Sequence, residues 1–480
     1  MSEGLNTLYR YGRFTFSRRG DMVLILTVSL LLTLLLLAWG YQVKAACGGE
    51  PYFPDGRSHR WPVGDPNAIV PCYSDLMYLW VGRDINNHVF PYIHGGIGAD
   101  GQLFGGVVEY PVLSGLLMWL GAIGANTDLQ FFQHSALLLA PFGLAITIML
   151  AVLTRWNVLW WAATPPLVLY AFHNWELPVV ATTVAAVAAM AWGASLHPAT
   201  GERRWSLRTS GIVASVLLAI GFCLKLYPGF FVLPLAIYVL TRGDGAPVVA
   251  GARKALDWVG AVWVAAAAAI TVILVQLPFM ILGYDGWKAA LTFQGKRRAD
   301  VDTNSIWYWG LRHLTGGQND TYNSLVGVLS PILIVASFAL AIYLGWRVYR
   351  NGGAYPWLGV CAAMLAGFML FHKVHSPQYT LWILPLFVLL RIHWSVIVAY
   401  LIADLSLDLT IFRLFGILTS GAPMKWWVIG GVNLGVWVHA VLLVYLIFGF
   451  VRAGMREPLA SIGRRPAPEE PESTPVPAPV

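Results

Sequence analysis

Carboxylates, cations and histidines stand at the ends of long apolar segments in this chain, where ionisable side chains are costly unless they serve a function. Asp75 opens the segment SDLMYLWVGRDI, and Ser74 before it is suited to cap a helix whose apolar stripe would lie at a membrane surface. A carboxylate in that position can accept a proton from a substrate. The alternative is that Asp75 only caps the helix.

Further carboxylates occur in short polar turns. Glu109 precedes the segment VLSGLLMWLGAIG, and Glu176 ends the sequence HNWE. Because apolar residues follow Glu176, it needs a partner, and Lys225 in KLYP is the candidate. The pair would contribute to a site or act as a structural salt bridge. Asp84 is the third carboxylate that we expect to support such a site.

A cluster of three cations, Lys296, Arg297 and Arg298, lies in a segment predicted to be outside the cytoplasm, against the usual charge rule. Beside aromatic residues, such a cluster suits a lipid-linked phosphate at the membrane surface. Attraction to anionic lipid headgroups is the alternative. The segment HKVHSPQYTLWILP adds further polar residues at the end of a predicted helix pair: His372, Lys373, His375, Gln378 and Tyr379.

One carboxylate beside several cations is what an inverting sugar transfer to a hydroxyl group requires. The base removes the acceptor proton as the hydroxyl attacks the anomeric carbon, and the cations stabilise the departing phosphate. Nucleotide sugars are not expected outside the cytoplasm, so the donor there is expected to be a polyprenyl-phosphate sugar. The sequence therefore predicts a glycosyltransferase with Asp75 as general base and these cations and histidines around the donor.

The composition specifies the elements that must hold these residues. The chain has 480 residues, of which 57% are hydrophobic and 11% charged, whereas about a quarter are charged in soluble domains. This excludes a cytosolic enzyme, a nucleic-acid binder and a disordered protein. The net charge of +7 is expected to set orientation in the membrane. The sequence predicts an all-α polytopic membrane protein.

Twelve apolar runs are predicted to span the membrane, with both chain ends in the cytoplasm. They are 22–43, 131–154, 157–172, 177–195, 210–225, 228–241, 257–282, 323–346, 355–371, 379–392, 395–411 and 427–450. Segment 109–124 is predicted to be re-entrant or interfacial, because a full crossing would place a basic loop outside. Thirteen helices with one exception to the charge rule remain the alternative.

The predicted organisation has three parts: a cytoplasmic N-terminus (1–21), a transmembrane domain (22–451) and a disordered, Pro-rich cytoplasmic tail (452–480). Within the domain, loops 44–108 and 283–322 would be extracytoplasmic, the first with interfacial helices. Cys47 and Cys72 share the first loop, and a disulfide between them is expected there. The predicted location is the plasma (inner) membrane, with the site on the extracytoplasmic side.

No GxxxxGK[ST], CxxC or HExxH pattern occurs, so no cofactor is expected. Carboxylates such as Asp84 and Glu109 leave a divalent metal open. The expected partners are membrane lipids, a lipid-linked sugar donor and a glycolipid or glycan acceptor, with no nucleic acid. The sequence does not indicate protein partners or oligomeric state.

Five motifs, in order, resemble the polyprenyl-phosphate-sugar-dependent membrane glycosyltransferases of the GT-C type, a family that includes bacterial phosphatidylinositol mannoside mannosyltransferases. SDLMYLWVGRDI with FPYIHG looks like the family's first-loop Asp segment. VEYPVLSGLL is similar to its YPP-L segment, and HNWELP to its N-W-D turn. KLYPGFFVLP and HSPQYTLWILP are similar to its K-x-Y-P and S-P-Q-Y segments. The chain departs from the family at Val112, where a second proline is usual, and at Glu176, where Asp is usual.

The resemblance implies that Asp75 is the catalytic base and that Lys225 and a histidine in 372–375 contact the donor phosphate or the sugar. It also implies that no metal is required. The richness in Ala, Val and Trp looks actinobacterial, which would suggest decaprenyl-phosphate mannose or arabinose as donor. The acceptor is expected to be a hydroxyl of a cell-envelope glycolipid or glycan.

Another class of function remains open, a proton-coupled transporter or lipid flippase. Asp404 and Asp408 are four residues apart and would share one helix face inside the membrane, as in a proton relay. Polar partners on neighbouring helices would explain them equally. A transporter would depend on these two residues and tolerate loss of Asp75, whereas an enzyme would show the reverse. A non-catalytic assembly subunit with the same fold would tolerate both losses.

Overall fold

The computed structural model describes residues 18–59, 72–243 and 256–462. Most of the predicted N-terminal segment 1–21 lies outside these residues, as does most of the predicted tail. The described part is almost entirely helical. Its one paired hairpin joins β1 (Gly96–Ile97) antiparallel to β2 (Leu103–Phe104) in the first loop.

Helices follow one another along the whole described chain. In the first half they are α1 (Arg18–Ala45), α2 (Asp75–Gly82), α3 (Val112–Ala122), α4 (Asp128–Thr154), α5 (Leu159–Ala162), α6 (Pro166–Tyr170), α7 (Glu176–Ala194), α8 (Leu207–Leu224), α9 (Tyr227–Phe230) and α10 (Val232–Leu240). In the second half they are α11 (Trp258–Leu282), α12 (Tyr284–Lys296), α13 (Arg312–Leu314), α14 (Asp320–Arg350), α15 (Trp357–Phe371), α16 (Thr380–Leu389), α17 (Trp394–Ser420) and α18 (Trp426–Arg452). Short 3₁₀ turns occur at Ile85–Asn87, Arg155–Val158, Val301–Thr303, Pro377–Tyr379 and Leu459–Ser461, and a π-helical turn at Trp307–Leu311.

Eight helical segments of the described residues are long and apolar enough to cross a membrane. Their outer surfaces carry many exposed large apolar side chains, for example Trp263, Ile273 and Leu274 on α11, which are 56%, 56% and 66% exposed. Apolar surface of this extent indicates contact with lipid. The predicted all-α polytopic membrane fold is confirmed.

The predicted span 157–172 is not one helix, because Pro165 and Pro166 interrupt it. Its ends nevertheless lie at opposite ends of the bundle: the Asn157 side chain accepts from Arg456 after α18, and the His173 carbonyl accepts from the Asp75 amide of the first loop. Irregular backbone is tolerated at membrane depth where protein surrounds it. The interruption is therefore buried inside the bundle.

Segment 109–124 contains only α3, eleven residues long. Such a helix measures about 16 Å, roughly half of a ~30 Å hydrocarbon core, so it does not cross. Three other apolar helices, Tyr227–Leu240, Trp357–Phe371 and Pro377–Leu389, are also shorter than the eight long segments.

The middle of the bundle is formed by α15 and α16, whose side chains are buried on all faces. The C-terminal segment differs from the prediction, since residues 453–462 are ordered rather than part of the tail. The Arg456 amide donates to the Leu389 carbonyl, and the Arg456 guanidinium donates to the Leu390 and Ile392 carbonyls. This segment is held because its arginine satisfies carbonyls that follow α16. The remaining tail residues, 463–480, lie outside the described residues.

Candidate active site

A cavity of about 1310 Å³ opens at the end of the bundle that carries the first loop. Its polar part is walled by the first loop, by the segment after α12 and by the turn after α15. Its apolar part extends between α8, α11, α14 and α15, where it is lined by Phe222, Leu226, Val272, Val326, Pro331, Ile334 and Phe368. One cavity thus combines charged groups with an apolar channel among membrane helices.

Asp75 lies on the cavity wall as the first residue of α2. Its Oδ1 accepts from the Tyr73 hydroxyl at 2.8 Å, and its Oδ2 accepts from the Asn174 amide at 2.7 Å. The side chain is 20% exposed. The donors to this carboxylate are the side chains of the preceding Tyr73 and of Asn174 in the turn before α7, rather than the amides of α2, so its position does more than cap the helix. Ser74 is not a side-chain cap either, because its hydroxyl donates to the Phe172 carbonyl.

The turn before α7 fixes this carboxylate. Nε2 of His173 lies 3.7 Å from Oδ2 of Asp75. Burial lowers the pKa of His173 well below its usual value, and the charges of Lys44 and Lys225 act in the same direction. His173 is therefore neutral at neutral pH, and its contact with Asp75 is not an ion pair. The neighbours that hold Asp75 are thus uncharged: the Tyr73 hydroxyl, the Asn174 amide and the His173 imidazole.

Glu176 and Lys225 form the ion pair that their sequence positions predicted. Lys225 Nζ donates to Glu176 Oε1, and Trp382 Nε1 donates to Oε2 of the same carboxylate at 2.5 Å. The Lys225 ammonium also lies 4.8 Å from the centre of the Tyr110 ring. Lys225 lines the cavity, whereas Glu176 is fully buried behind it. The carboxylate thus holds the ammonium at the cavity wall.

The second group of cations faces the same cavity from the segment after α12 and the turn after α15. Arg297 and Arg298 line it, and Arg297 lies 3.6 Å from Asp302. Lys373 also lines it and donates to the Gly295 carbonyl at 3.0 Å. These side chains can surround a phosphate group. The predicted third member, Lys296, is exposed and does not line the cavity.

The predicted histidines separate. His372 lines the cavity, and burial lowers its pKa to about 4, so it is neutral and can serve as a hydrogen-bonding group. His375 points away from the cavity: its Nδ1 bonds to the Met369 carbonyl, and its amide donates to the Thr303 carbonyl. The prediction that His375 binds the donor is therefore wrong. His375 instead anchors the turn after α15 through these backbone hydrogen bonds.

Two other predicted donor-binding residues, Gln378 and Tyr379, do line the cavity. Tyr379 stacks on Trp382 with ring centres 3.7 Å apart. The buried Oε1 of Gln378 has no partner among the described residues, which leaves it available to a hydroxyl donor. Sugar hydroxyls offer such donors.

The supporting carboxylates also differ in their roles. Glu109 lines the cavity and receives Arg83 Nε at 2.7 Å, with both side chains largely buried. Asp84 does not line it, because its Oδ2 accepts from the Gly105 amide at 2.7 Å and so fixes the end of the first-loop hairpin. Asp84 is a structural residue, contrary to the expected supporting role at the site.

The first loop is attached at two places. Cys47 and Cys72 form a disulfide with Cα atoms 5.2 Å apart, which ties the end of α1 to the residues just before Asp75. In the second half of the loop, the Tyr92 carbonyl rests on Gly283 and Gly286, where a Cβ atom would collide with it. The loop therefore holds Asp75 opposite the segment after α12.

Several site residues were not recognised in the sequence. Asn174 donates to both Asp75 and the Tyr110 hydroxyl, at 2.7 Å each, and its signal was the HNWE turn itself. Arg83, eight residues after Asp75, pairs with Glu109. This spacing of about two helical turns could have placed it on the face of Asp75. Tyr73 had no sequence signal beyond its position next to the cap.

Asp404 and Asp408 are buried in α17 and do not line the cavity. The Thr380 hydroxyl donates to Oδ1 of Asp404 at 2.5 Å, while both oxygens of Asp408 are without a hydrogen-bond partner among the described residues. No group of three or more His, Cys, Asp or Glu side chains in 18–59, 72–243 or 256–462 is placed to hold a metal ion. Independence from metals stays a prediction.

Comparison with known proteins identifies the class. The sequence model of the mannosyltransferase (PIG-M) family matches residues 205–448, about half of the chain, and the chain belongs to this family. It is a membrane glycosyltransferase of the GT-C type, as its motifs predicted. Among solved structures, that of ArnT from Cupriavidus metallidurans, bound to undecaprenyl phosphate, is similar over 91% of this chain and 78% of that chain, with 13% identity and a TM-score of 0.39. No curated protein gives a significant match to the sequence.

Proposed function

We propose that this glycosyltransferase moves a sugar from a polyprenyl-phosphate donor to a hydroxyl of a cell-envelope glycolipid or glycan, with inversion at the anomeric carbon. The reaction would take place at the extracytoplasmic face of the plasma membrane. The carrying observation is that the partly exposed carboxylate of Asp75 shares one cavity with Lys225, Arg297, Arg298 and Lys373. This arrangement suits proton removal on one side and phosphate departure on the other.

In the proposed reaction, Asp75 accepts the proton of the acceptor hydroxyl while the oxygen of that hydroxyl forms a bond to the anomeric carbon. The bond between this carbon and the phosphate oxygen breaks, and its electron pair leaves with the phosphate. Arg297 and Lys373 stabilise the charge that develops there. Neutral His372 and the free Oε1 of Gln378 orient the sugar by hydrogen bonds.

The apolar channel supports a lipid-linked donor. A nucleotide sugar would place a polar base and ribose against Phe222, Val272 and Ile334, whereas a prenyl chain buries apolar surface there. The cavity of about 1310 Å³ also exceeds the ~300–1,000 Å³ of common ligand pockets, so it can hold a donor headgroup and an acceptor together. Membership of a mannosyltransferase family favours mannose over arabinose as the sugar.

The test is transfer in proteoliposomes made with purified protein. Wild-type protein receives labelled polyprenyl-phosphate mannose or, separately, arabinose, with lipid extract of the source membranes as acceptor. We expect a new labelled product with the mannosyl donor. A known mannosyltransferase that uses the same labelled donor is the positive control. If it yields a product in the same vesicles and this protein yields none with either donor, the proposed donor class is wrong.

The transporter alternative is tested in the same vesicles. Asp404→Asn combined with Asp408→Asn should leave sugar transfer within a few fold of wild type, because both residues lie outside the cavity. A transporter would instead lose pH-dependent movement of its cargo in this double variant while the Asp75→Asn variant keeps it.

A further inference from the structure

A second, smaller cavity of about 330 Å³ lies between the start of α17 and the end of α18. We call it the basic pocket. Its lining residues are Arg391, Ile392, His393, Tyr445, Phe448, Gly449, Arg452 and Ala453. None of them belongs to the candidate active site, and the proposed sugar transfer does not use them.

The basic pocket lies at the opposite membrane surface from the active site. Helix α17 has 27 residues, which corresponds to a length of about 40 Å. Phe412, Phe415 and Thr419 near its C-terminal end line the active-site cavity, whereas the basic pocket adjoins its N-terminal end. About 40–45 Å is the thickness of a bilayer with its headgroups. The basic pocket is therefore at headgroup level on the other side.

Two arginines and one histidine surround this pocket. Arg391 lies 3.4 Å from Glu457, but both side chains are more than half exposed, at 57% and 55%, so this contact neutralises little charge. No ion pair involves Arg452 in the part of the chain that the structure describes. Nδ1 of His393 accepts the Ser395 amide, which leaves its other ring nitrogen as a donor. The N-terminus of α17 adds partial positive charge. The pocket is suited to an anion.

The wall below these cations is apolar and open to the membrane. Tyr445 is 53% exposed and Phe448 is 39% exposed, both on α18. Trp394, 61% exposed, stands at the same level at the start of α17, where aromatic residues mark the membrane interface. A free anion would use only the cations, whereas a ligand with both a phosphate and an acyl chain would use both parts.

We propose that the basic pocket binds an anionic phospholipid of the leaflet opposite the active site. Its phosphate lies between Arg391, His393 and Arg452, and an acyl chain follows Tyr445 and Phe448. Basic pockets between membrane helices suit anionic headgroups in this way. The lipid is a bound component of the fold and takes no part in the proposed sugar transfer.

The test measures lipid binding to the purified full chain in detergent, by native mass spectrometry and thermal unfolding. The probes are phosphatidylglycerol, phosphatidylcholine and inorganic phosphate. We expect the tightest phosphatidylglycerol site to weaken about thirtyfold in the Arg391→Gln/Arg452→Gln variant, because each basic side chain near an anionic lipid contributes about fivefold. Arg452→Gln alone, which retains the contact of Arg391 with Glu457, should weaken it about fivefold.

The matched control is Arg347→Gln/Arg350→Gln, which removes the same charge from the exposed end of α14 without touching the pocket. It should bind phosphatidylglycerol like wild type. The proposal is overturned if the pocket variant binds this lipid as tightly as the control, or if phosphatidylcholine binds equally well. Equal protection by inorganic phosphate would show a simple anion site and would also overturn it. Lipid-free unfolding curves of all variants verify that they fold.

Discussion

Removing the charge of Glu176 tests how the cavity wall is held. Glu176 and Lys225 are a buried pair, with side chains 0% and 10% exposed. Glu176→Gln keeps an oxygen that can accept from Trp382 but leaves the ammonium without its counter-charge. Loss of one partner of a buried ion pair costs about 3–5 kcal/mol. We therefore expect this variant to unfold at markedly lower denaturant concentration than wild type.

The double variant Glu176→Gln/Lys225→Gln separates stability from function. With both charges removed, no uncompensated charge remains, and the free energy of unfolding should return to near the wild-type value. Sugar transfer should stay low, because the ammonium that faces the donor is gone. Unfolding in detergent and initial transfer rates are measured on the same preparations.

Two results would refute this reasoning. If Glu176→Gln is as stable as wild type within about 1 kcal/mol, the pair is not the buried, mutually dependent contact that the structure shows. If the double variant transfers sugar at the wild-type rate, Lys225 has only a structural role and the donor phosphate is held by other cations.

Two further predictions concern the surroundings of the base. Burial lowers the pKa of His372 from 6.5 to about 4. The imidazole therefore binds a proton more readily in the unfolded chain than in the folded protein, so stability is lost as the pH falls from 6.5 towards 4. His372→Gln should therefore show a weaker pH dependence of its melting temperature in that range, and an unchanged slope would contradict this. Cys47→Ser/Cys72→Ser opens a link of 25 residues and should cost about 3 kcal/mol of stability. Wild-type protein under reducing conditions should melt at the same temperature as this variant. Different melting temperatures would contradict the stabilising role of the disulfide.

The sequence predicted the spans well, because the hydrocarbon core of the membrane requires helices of a certain length and apolar character, and both can be read from the sequence. It failed at the interior of segment 157–172, since two prolines break a helix without preventing a crossing when protein surrounds the backbone. That α3 does not cross the membrane was predictable from the charge rule, because a crossing there would place a basic loop outside. The order of segment 453–462 was not predictable, because it depends on hydrogen bonds from Arg456 to carbonyls that follow α16, far away in sequence.

For the site, the motifs predicted which helix ends meet but not which way each side chain points. Asp75 and Lys225 face one cavity because each stands where a helix begins or ends at that surface. His375 and Asp84 lie in irregular turns, where alternation and helical spacing give no direction. Their side chains satisfy backbone groups instead, the Met369 carbonyl and the Gly105 amide.

The most direct test of the central claim is the rate of sugar transfer by the Asp75→Asn variant. Asn keeps the size of the side chain but cannot accept the hydroxyl proton, and general-base help is worth roughly 10²–10⁴-fold. Asp285→Asn is the matched control, because Asp285 is exposed at the start of α12 and does not line the cavity. We predict a loss of at least about a hundredfold for Asp75→Asn and a wild-type rate for the control. A wild-type rate for Asp75→Asn in folded protein would show that Asp75 is not the base.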